Sequence, residues 1–189
     1  RSVNPDQFLS MNLKIVLNVL TPIKLLKLHA SKESMVIESV KVDGFTSHFN
    51  FVTDWVLSIN SGLLLPGKHF VKIIYKITPA QLKKTTGLFI KNGVLSVEDW
   101  PYFTRQWIPS NDSPQDPAKF DMSISLPLDG SLSNYSAMSN GKLISRNFNT
   151  YYWKMKNEMP TYGVNLVVGD YITKKKLLYI DPSHVNNDT

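Results

Sequence analysis

The chain has 189 residues, 42% of them hydrophobic, which is enough to form the core of one folded domain and excludes a disordered protein. It contains no cysteine, which excludes disulfides, thiolate metal sites and a cysteine nucleophile. The formal net charge is +6, but the lysines are dispersed along the sequence. We therefore expect a solvated surface and no nucleic-acid partner, with an anionic partner as the alternative.

We read no targeting or membrane signal in the sequence. No apolar run approaches the ~20 residues that a membrane-spanning helix requires, so we expect no membrane span. The first six residues lack the shape of a signal peptide. A cytoplasmic location is the expectation, and a periplasmic or secreted one is the alternative.

The first half of the chain reads as a series of short strands. Apolar and polar residues alternate through most of it, as they do in strands with one buried face. Turn residues separate the strands, among them the hairpin pair Asp43-Gly44 and a predicted turn over 63–67. The predicted strands are 12–20, 24–29, 35–42, 45–52, 55–60 and 68–77.

The pattern of short strands continues after one turn of helix, predicted within 79–86. The pairs Asn92-Gly93 and Asn140-Gly141 predict tight turns between antiparallel strands. The clearest strand is 120–126, where apolar and polar residues alternate without a fault. The other predicted strands are 87–90, 94–98, 135–138, 142–145, 150–155, 162–168 and 176–180, and a frayed tail is predicted at 181–189.

About a dozen strands and no amphipathic stretch of helical length predict an all-β fold. We expect a large antiparallel β-sandwich or saddle that forms a single domain over residues 1–189, with little or no helix.

A turn-rich corner with three prolines, residues 105–120, joins the two halves. We expect Arg105 to pair with Asp112 or Asp116, and both carboxylates to cap the turn by accepting backbone N–H groups. Pro109 belongs to the same corner. The aromatic residues around it are predicted to pack in the core or against the sheets: Trp100, Tyr102, Phe103 and Trp107.

The residue types give no sign of a self-sufficient active site. The four histidines, at 29, 48, 69 and 184, do not occur at the spacing of metal ligands, and no H-E-x-x-H motif is present. Nucleophile elbows and glycine-rich phosphate loops are missing as well. We therefore predict no catalytic residue and no metal ligand in this chain.

Several segments resemble one protein family in order and spacing. Arg-Gln-Trp-Ile-Pro at 105–109, Asp-Ser-Pro at 112–114 and Lys-Phe-Asp at 119–121 resemble the R-x-W-F-P…D-x-P…K-A-x-F signature of the aminopeptidase N family. Ser-Asn-Gly at 139–141 and Met-Pro-Thr-Tyr at 159–162 resemble later motifs of these zinc aminopeptidases. The resemblance covers nearly all of the chain.

The resemblance implies a role within a larger enzyme. The region is similar to the family's N-terminal domain, a β-saddle that packs over a thermolysin-like catalytic domain acting on peptide substrates. The family's zinc site and its G-x-M-E-N loop both follow this region, and neither motif occurs in this chain. The resemblance thus implies a non-catalytic domain without a cofactor of its own, in a full-length enzyme that holds zinc elsewhere.

Two residues are implied to touch the substrate. In the family, a Gln eleven positions before the proline that aligns with Pro109 helps to hold the free amine of the peptide. That position is Glu98 here, and Trp100 stands where many members carry Glu. A carboxylate can bind an ammonium group through a charge-assisted hydrogen bond. An ordinary exposed charge at a strand end remains the alternative interpretation of Glu98.

Two other functions stay open at this stage. A non-catalytic relative would use the same fold as a scaffold or a protein-interaction module. A free-standing sandwich that binds carbohydrates or anions would use the aromatic residues and the lysines.

Overall fold

The structure is a computed structural model that describes residues 2–172, and its strands are joined into four antiparallel sheets. One short helix, α1 (Pro79–Leu82), interrupts the strands. The prediction of an all-β fold with little helix is confirmed. The strands are β1 (Leu9–Val19), β2 (Ile23–His29), β3 (Met35–Val42), β4 (Phe45–Thr46), β5 (Phe49–Thr53), β6 (Val56–Leu64), β7 (Gly67–Ile77), β8 (Gly87–Lys91), β9 (Val94–Glu98), β10 (Asp121–Ser125), β11 (Ser136–Ser139), β12 (Lys142–Asn147), β13 (Thr150–Lys154) and β14 (Leu166–Gly169).

The strands before α1 form two of the sheets, and the strands after α1 form the other two. Before α1, β1-β7-β3-β4 form one sheet and β2-β6-β5 form another. After α1, the sheets are β10-β13-β12 and β11-β14-β9-β8, and the second of these combines strands from both sides of residues 105–120. Buried residues from all four sheets belong to one hydrophobic cluster, with Val71, Leu57, Leu88 and Tyr151 as examples. The prediction that residues 1–189 form one domain stays a prediction.

The alternating patterns in the sequence correspond to the buried and exposed faces of the strands. In β7, Val71, Ile73, Tyr75 and Ile77 are buried at 0–1% exposure. In β10, the side chains of Met122 and Ile124 are half-buried and their neighbours are exposed. The period of two therefore identifies the core face correctly, as burial of one sheet face requires.

Several predicted boundaries are wrong, and three of them have a clear structural reason. The segment 45–52 is two strands, because β4 pairs with β3 whereas β5 pairs with β6 in another sheet. The turn predicted over 63–67 is shorter, since Leu64 pairs with Ile23 as the last residue of β6. The strand predicted at 162–168 begins only at Leu166, because Thr161–Gly163 form a 3₁₀ turn after Pro160.

Two predictions fall outside the described residues: the strand 176–180 and the frayed tail 181–189. Between residues 2 and 172, the structure has no helix with the length and apolar character needed to cross a membrane.

Candidate functional site

The candidate site lies at the open end of the hairpin formed by β8 and β9. Asn92 and Gly93 connect the two strands with φ angles of 52° and 78°, the left-handed values that a tight hairpin turn requires. The turn fixes the register, which pairs Gly87 with Glu98 at the far end of the hairpin. Glu98 is thus the last residue of β9, and the chain turns away directly after it.

Two exposed side chains flank a buried one at this strand end. Glu98 is exposed, and its side chain forms no hydrogen bond or ion pair within residues 2–172. Trp100 is 63% exposed, whereas Asp99 between them is only 4% exposed. The alternation of the strand therefore continues for two residues beyond its end and presents a free carboxylate beside an indole ring.

Asp99 is held in the interior by the indole of Trp107. The Trp107 Nε1–H lies 2.9 and 3.0 Å from the two carboxylate oxygens and donates to both. Burial raises the pKa of Asp99 to about 7, and the hydrogen bond from Trp107 opposes this shift without cancelling it. The backbone carbonyl of Asp99 also accepts from the Phe103 N–H, which closes the loop that carries Trp100.

A buried ion pair organises the corner that follows. Arg105 Nε donates to Asp112 Oδ2 at 2.8 Å, and the side chain of Asp112 is 1% exposed. The Arg105 guanidinium also donates to the Asp112 carbonyl and lies 5.6 Å from the centre of the Tyr102 ring. Because a buried carboxylate needs several partners, this pair fixes the path of the chain through residues 105–112.

The second carboxylate oxygen of Asp112 connects the corner to the candidate site. Thr161 Oγ1 donates to Asp112 Oδ1 at 2.6 Å. The next residue, Tyr162, contacts the exposed Trp100 edge to face, with ring centres 5.0 Å apart and an interplanar angle of 90°. Asp112 therefore positions the residue against which Trp100 packs.

Hydrogen bonds to the first half of the chain anchor the same corner. His29 and Ser110 exchange two backbone hydrogen bonds, and His29 Nδ1 accepts the Asp112 N–H at 3.1 Å. The buried Tyr75 hydroxyl donates to the Trp107 carbonyl at 2.8 Å. Burial and the nearby Arg105 charge lower the pKa of His29, which favours the neutral ring that can accept this bond.

The structure confirms part of the predicted corner. Arg105 pairs with Asp112 and Trp107 is buried, as expected, and Pro109 is buried as well. The prediction that all the aromatic residues pack inside is wrong for Trp100 and Tyr102, which are 63% and 51% exposed, because both lie on the solvent side of the loop.

Asp116 does not cap the turn in the expected way. Its carboxylate accepts a side-chain hydrogen bond, 2.7 Å long, from Asn111 Nδ2, and the side chain is exposed. Of these two carboxylates, that of Asp112 accepts a backbone N–H, that of Arg105 at 3.3 Å.

Sequence reasoning missed the roles of Asp99, Thr161 and Tyr162. For Asp99, the alternation of inward and outward side chains along β9 was a usable signal of burial, because Leu95, Val97 and Asp99 share the inward-facing positions. Thr161 gave no such signal, since its contact with Asp112 joins residues 49 positions apart.

The site offers no place for a metal ion. Within residues 2–172, no group of three or more His, Asp or Glu side chains is arranged to hold one. The exposed carboxylate of Glu98 can attract a cation, and Trp100 beside it offers an apolar surface. Such a pair suits an ammonium group attached to an apolar side chain.

Comparison with known proteins identifies the family of this region. The family model that describes the peptidase M1 N-terminal domain matches residues 2–162. No curated protein sequence gives a significant match.

Several solved structures have a similar fold. An M1 zinc metallopeptidase variant from Deinococcus radiodurans, bound to a Tyr-Ser-Ala substrate, matches with a TM-score of 0.73 at 22% identity, over 87% of this chain and 39% of that one. Yeast LTA4 hydrolase matches with a TM-score of 0.71 at 22% identity, over 89% and 27%. Legionella pneumophila aminopeptidase A, in complex with aspartic acid, matches with a TM-score of 0.66 at 20% identity, over 85% and 19%. The chain thus spans about two fifths, or less, of these proteins.

Proposed function

Because this chain belongs to the peptidase M1 N-terminal domain family, we propose that it is the non-catalytic N-terminal domain of a zinc-dependent aminopeptidase. Such an enzyme removes residues from the amino terminus of peptides. The similarity to a metallopeptidase bound to Tyr-Ser-Ala and to an aminopeptidase supports this reading. The chain spans 39% of the first of these, which leaves room in such a protein for a further domain.

The proposed partner is a thermolysin-like catalytic domain of the same protein. The described residues cannot form a zinc site of their own. In the proposed arrangement the zinc ligands belong to the catalytic domain. The N-terminal domain formed by this chain walls one side of the cavity in which the zinc ligands lie.

The free carboxylate of Glu98 carries the proposal for substrate recognition. It is exposed, has no partner within residues 2–172, and ends a strand whose register is fixed by the hairpin. In the family a Gln at this position holds the free amine of the peptide. A carboxylate would accept a hydrogen bond from the protonated amine with both partners charged, and such a bond is stronger than one accepted by the oxygen of a neutral amide.

Trp100 is proposed to contact the side chain of the first substrate residue. Its indole is mostly exposed, but its orientation is fixed because the ring packs edge to face against Tyr162. A large apolar surface beside the ammonium-binding group would favour apolar or aromatic first residues over acidic ones.

The test of this function is an aminopeptidase assay on the full gene product that contains this chain. We expect release of the first residue from an unblocked tripeptide, loss of release after chelation, and recovery when zinc is restored. A blocked amino terminus should prevent cleavage, because the proposed recognition depends on the free amine.

The alternative is a non-catalytic scaffold built on the same fold. A gene product that binds no zinc and cleaves no peptide, while remaining folded, would contradict the aminopeptidase and favour the scaffold.

A further inference from the structure

Three lysines that are far apart in the sequence lie in one row across three neighbouring strands. Lys14 on β1 pairs directly with Lys72 on β7, and Lys72 pairs on its other side with Lys41 on β3. All three side chains are exposed, and their neighbours along the strands are buried or half-buried. The dispersed lysines of the sequence thus converge on the solvent face of one sheet, which we call the lysine face.

The row carries uncompensated charge. None of the three lysines forms an ion pair within residues 2–172. The acidic groups nearby are already engaged: Glu38 pairs with Lys76, and Asp43 pairs with His69. Since like charges directly opposite each other destabilise a sheet, an anionic partner would relieve a repulsion that the folded chain otherwise retains.

Apolar groups interrupt the charge on the same face. Val16 and Phe70 pair across β1 and β7 in the row next to Lys14 and Lys72, and they are 54% and 42% exposed. Beyond them, the exposed Lys68 pairs with Asn18. The lysine face therefore combines ammonium groups with exposed apolar side chains on one sheet surface.

We propose that the lysine face is a docking surface for an anionic lipid bilayer. Lysines attract anionic headgroups as point charges, and their flexible stems let the ammonium groups reach a common plane. Val16 and Phe70 would enter the headgroup region between them, as apolar residues do in proteins that bind the membrane surface. This contact is peripheral and independent of the proposed peptidase activity.

The face is less suited to nucleic acid. Single-stranded nucleic acid is held by stacking of successive bases on aromatic rings, and the rows described above carry one ring, that of Phe70.

The test measures binding of the full gene product to vesicles. Phosphatidylcholine vesicles with and without phosphatidylserine are sedimented with the wild type and with a triple variant, Lys14→Gln, Lys41→Gln and Lys72→Gln. We expect binding only to the phosphatidylserine vesicles, and a loss of about 100-fold in the triple variant, at about fivefold per lysine. The matched control carries Lys24→Gln, Lys27→Gln and Lys91→Gln, three exposed lysines on other sheets.

The control variant shows whether vesicle binding depends on the lysine face or only on the net charge of the protein. Near wild-type binding by the control supports the proposal, whereas equal loss in the two triple variants overturns it. Absence of vesicle binding by the folded wild type overturns it as well. The protein could instead bind a single-stranded oligonucleotide or polyglutamate but no vesicles, and lose this binding in the triple variant. That result would overturn the proposal and assign the lysine face to a different partner. Thermal melting of each variant verifies that it is folded.

Discussion

Both carboxylate oxygens of Asp99 accept the indole N–H of Trp107, at 2.9 and 3.0 Å, and neither side chain is more than 4% exposed. This contact joins the end of β9 to the corner that follows it. It also places an ionisable group in the interior between the two exposed residues of the candidate site, Glu98 and Trp100.

The first prediction concerns Asp99 and pH. Because its folded pKa is raised from 3.8 to about 7, its contribution to stability is complete below about pH 4 and is lost as the pH rises towards 7. Asp99→Asn has no such titration. We expect the unfolding free energy of the wild type to fall by roughly 2–4 kcal/mol relative to the variant between pH 4 and 8. Urea unfolding of both proteins across this pH range measures the difference in unfolding free energy. Unfolding free energies that change in parallel with pH in the two proteins would refute the prediction.

The second prediction concerns the buried ion pair of the corner. Asp112→Ala leaves the Arg105 charge without its partner and removes the bond to Thr161, so we expect a loss of about 3–5 kcal/mol. Asp116→Ala is the matched control, because that carboxylate is exposed, and its effect should stay within about 0.5 kcal/mol. Equal melting temperatures for the two variants would show that the Asp112 pair does not stabilise the corner.

The third prediction compares two glycines with positive φ angles. A Cβ at Gly141 would collide with the backbone carbonyl of Lys154, whereas one at Gly130 would meet nothing within 4 Å. Both substitutions to Ala incur the backbone strain of φ angles of 85° and 72°. We expect Gly141→Ala to lower the melting temperature clearly more than Gly130→Ala. If Gly130→Ala lowers the melting temperature more than Gly141→Ala does, the close approach of Gly141 to Lys154 between β12 and β13 is described incorrectly.

The fourth prediction concerns a histidine that bridges two turns. His69 Nδ1 lies 2.7 Å from Asp43 Oδ2, and its Nε2 lies 2.8 Å from the Leu65 carbonyl, so both ring nitrogens face acceptors. The hydrogen bond with Asp43, and then that with Leu65, raises the pKa of His69, while the pKa of Asp43 is lowered. The stabilisation by His69 is therefore complete below its unfolded pKa and is lost as the pH rises through the raised value.

Titration of His69 by NMR tests this bridge. Asp43→Asn should move the pKa of His69 downwards, and Asp54→Asn, at an exposed site in another turn, should leave it unchanged. An unchanged pKa in Asp43→Asn would mean that the two side chains do not interact in solution.

Much of this fold follows from local patterns in the sequence. The alternation in β7 and β10 identifies their buried faces, because a strand with one covered face must repeat every two residues. Asp43-Gly44 and Asn92-Gly93 identify hairpins, because both residues of each pair have positive φ angles. These features depend on neighbours in the sequence and are therefore visible without a structure.

Features that depend on distant residues could not be predicted in this way. Thr161 meets Asp112 only after the chain has folded, and the 3₁₀ turn around it interrupts an apolar run that reads as strand. The lysine row arises from the register of three strands, so the sequence shows only dispersed charges.

Glu98 is proposed to bind the substrate amine in a zinc aminopeptidase, and kcat/KM of the full gene product reports on this contact. We expect Glu98→Ala to lower kcat/KM tenfold or more on an unblocked peptide, which corresponds to about 1.4 kcal/mol of transition-state stabilisation. Glu98→Gln should retain part of this activity, and Asp121→Ala, which removes an exposed carboxylate from β10, should retain all of it. An active enzyme in which Glu98→Ala leaves kcat/KM unchanged would contradict the claim.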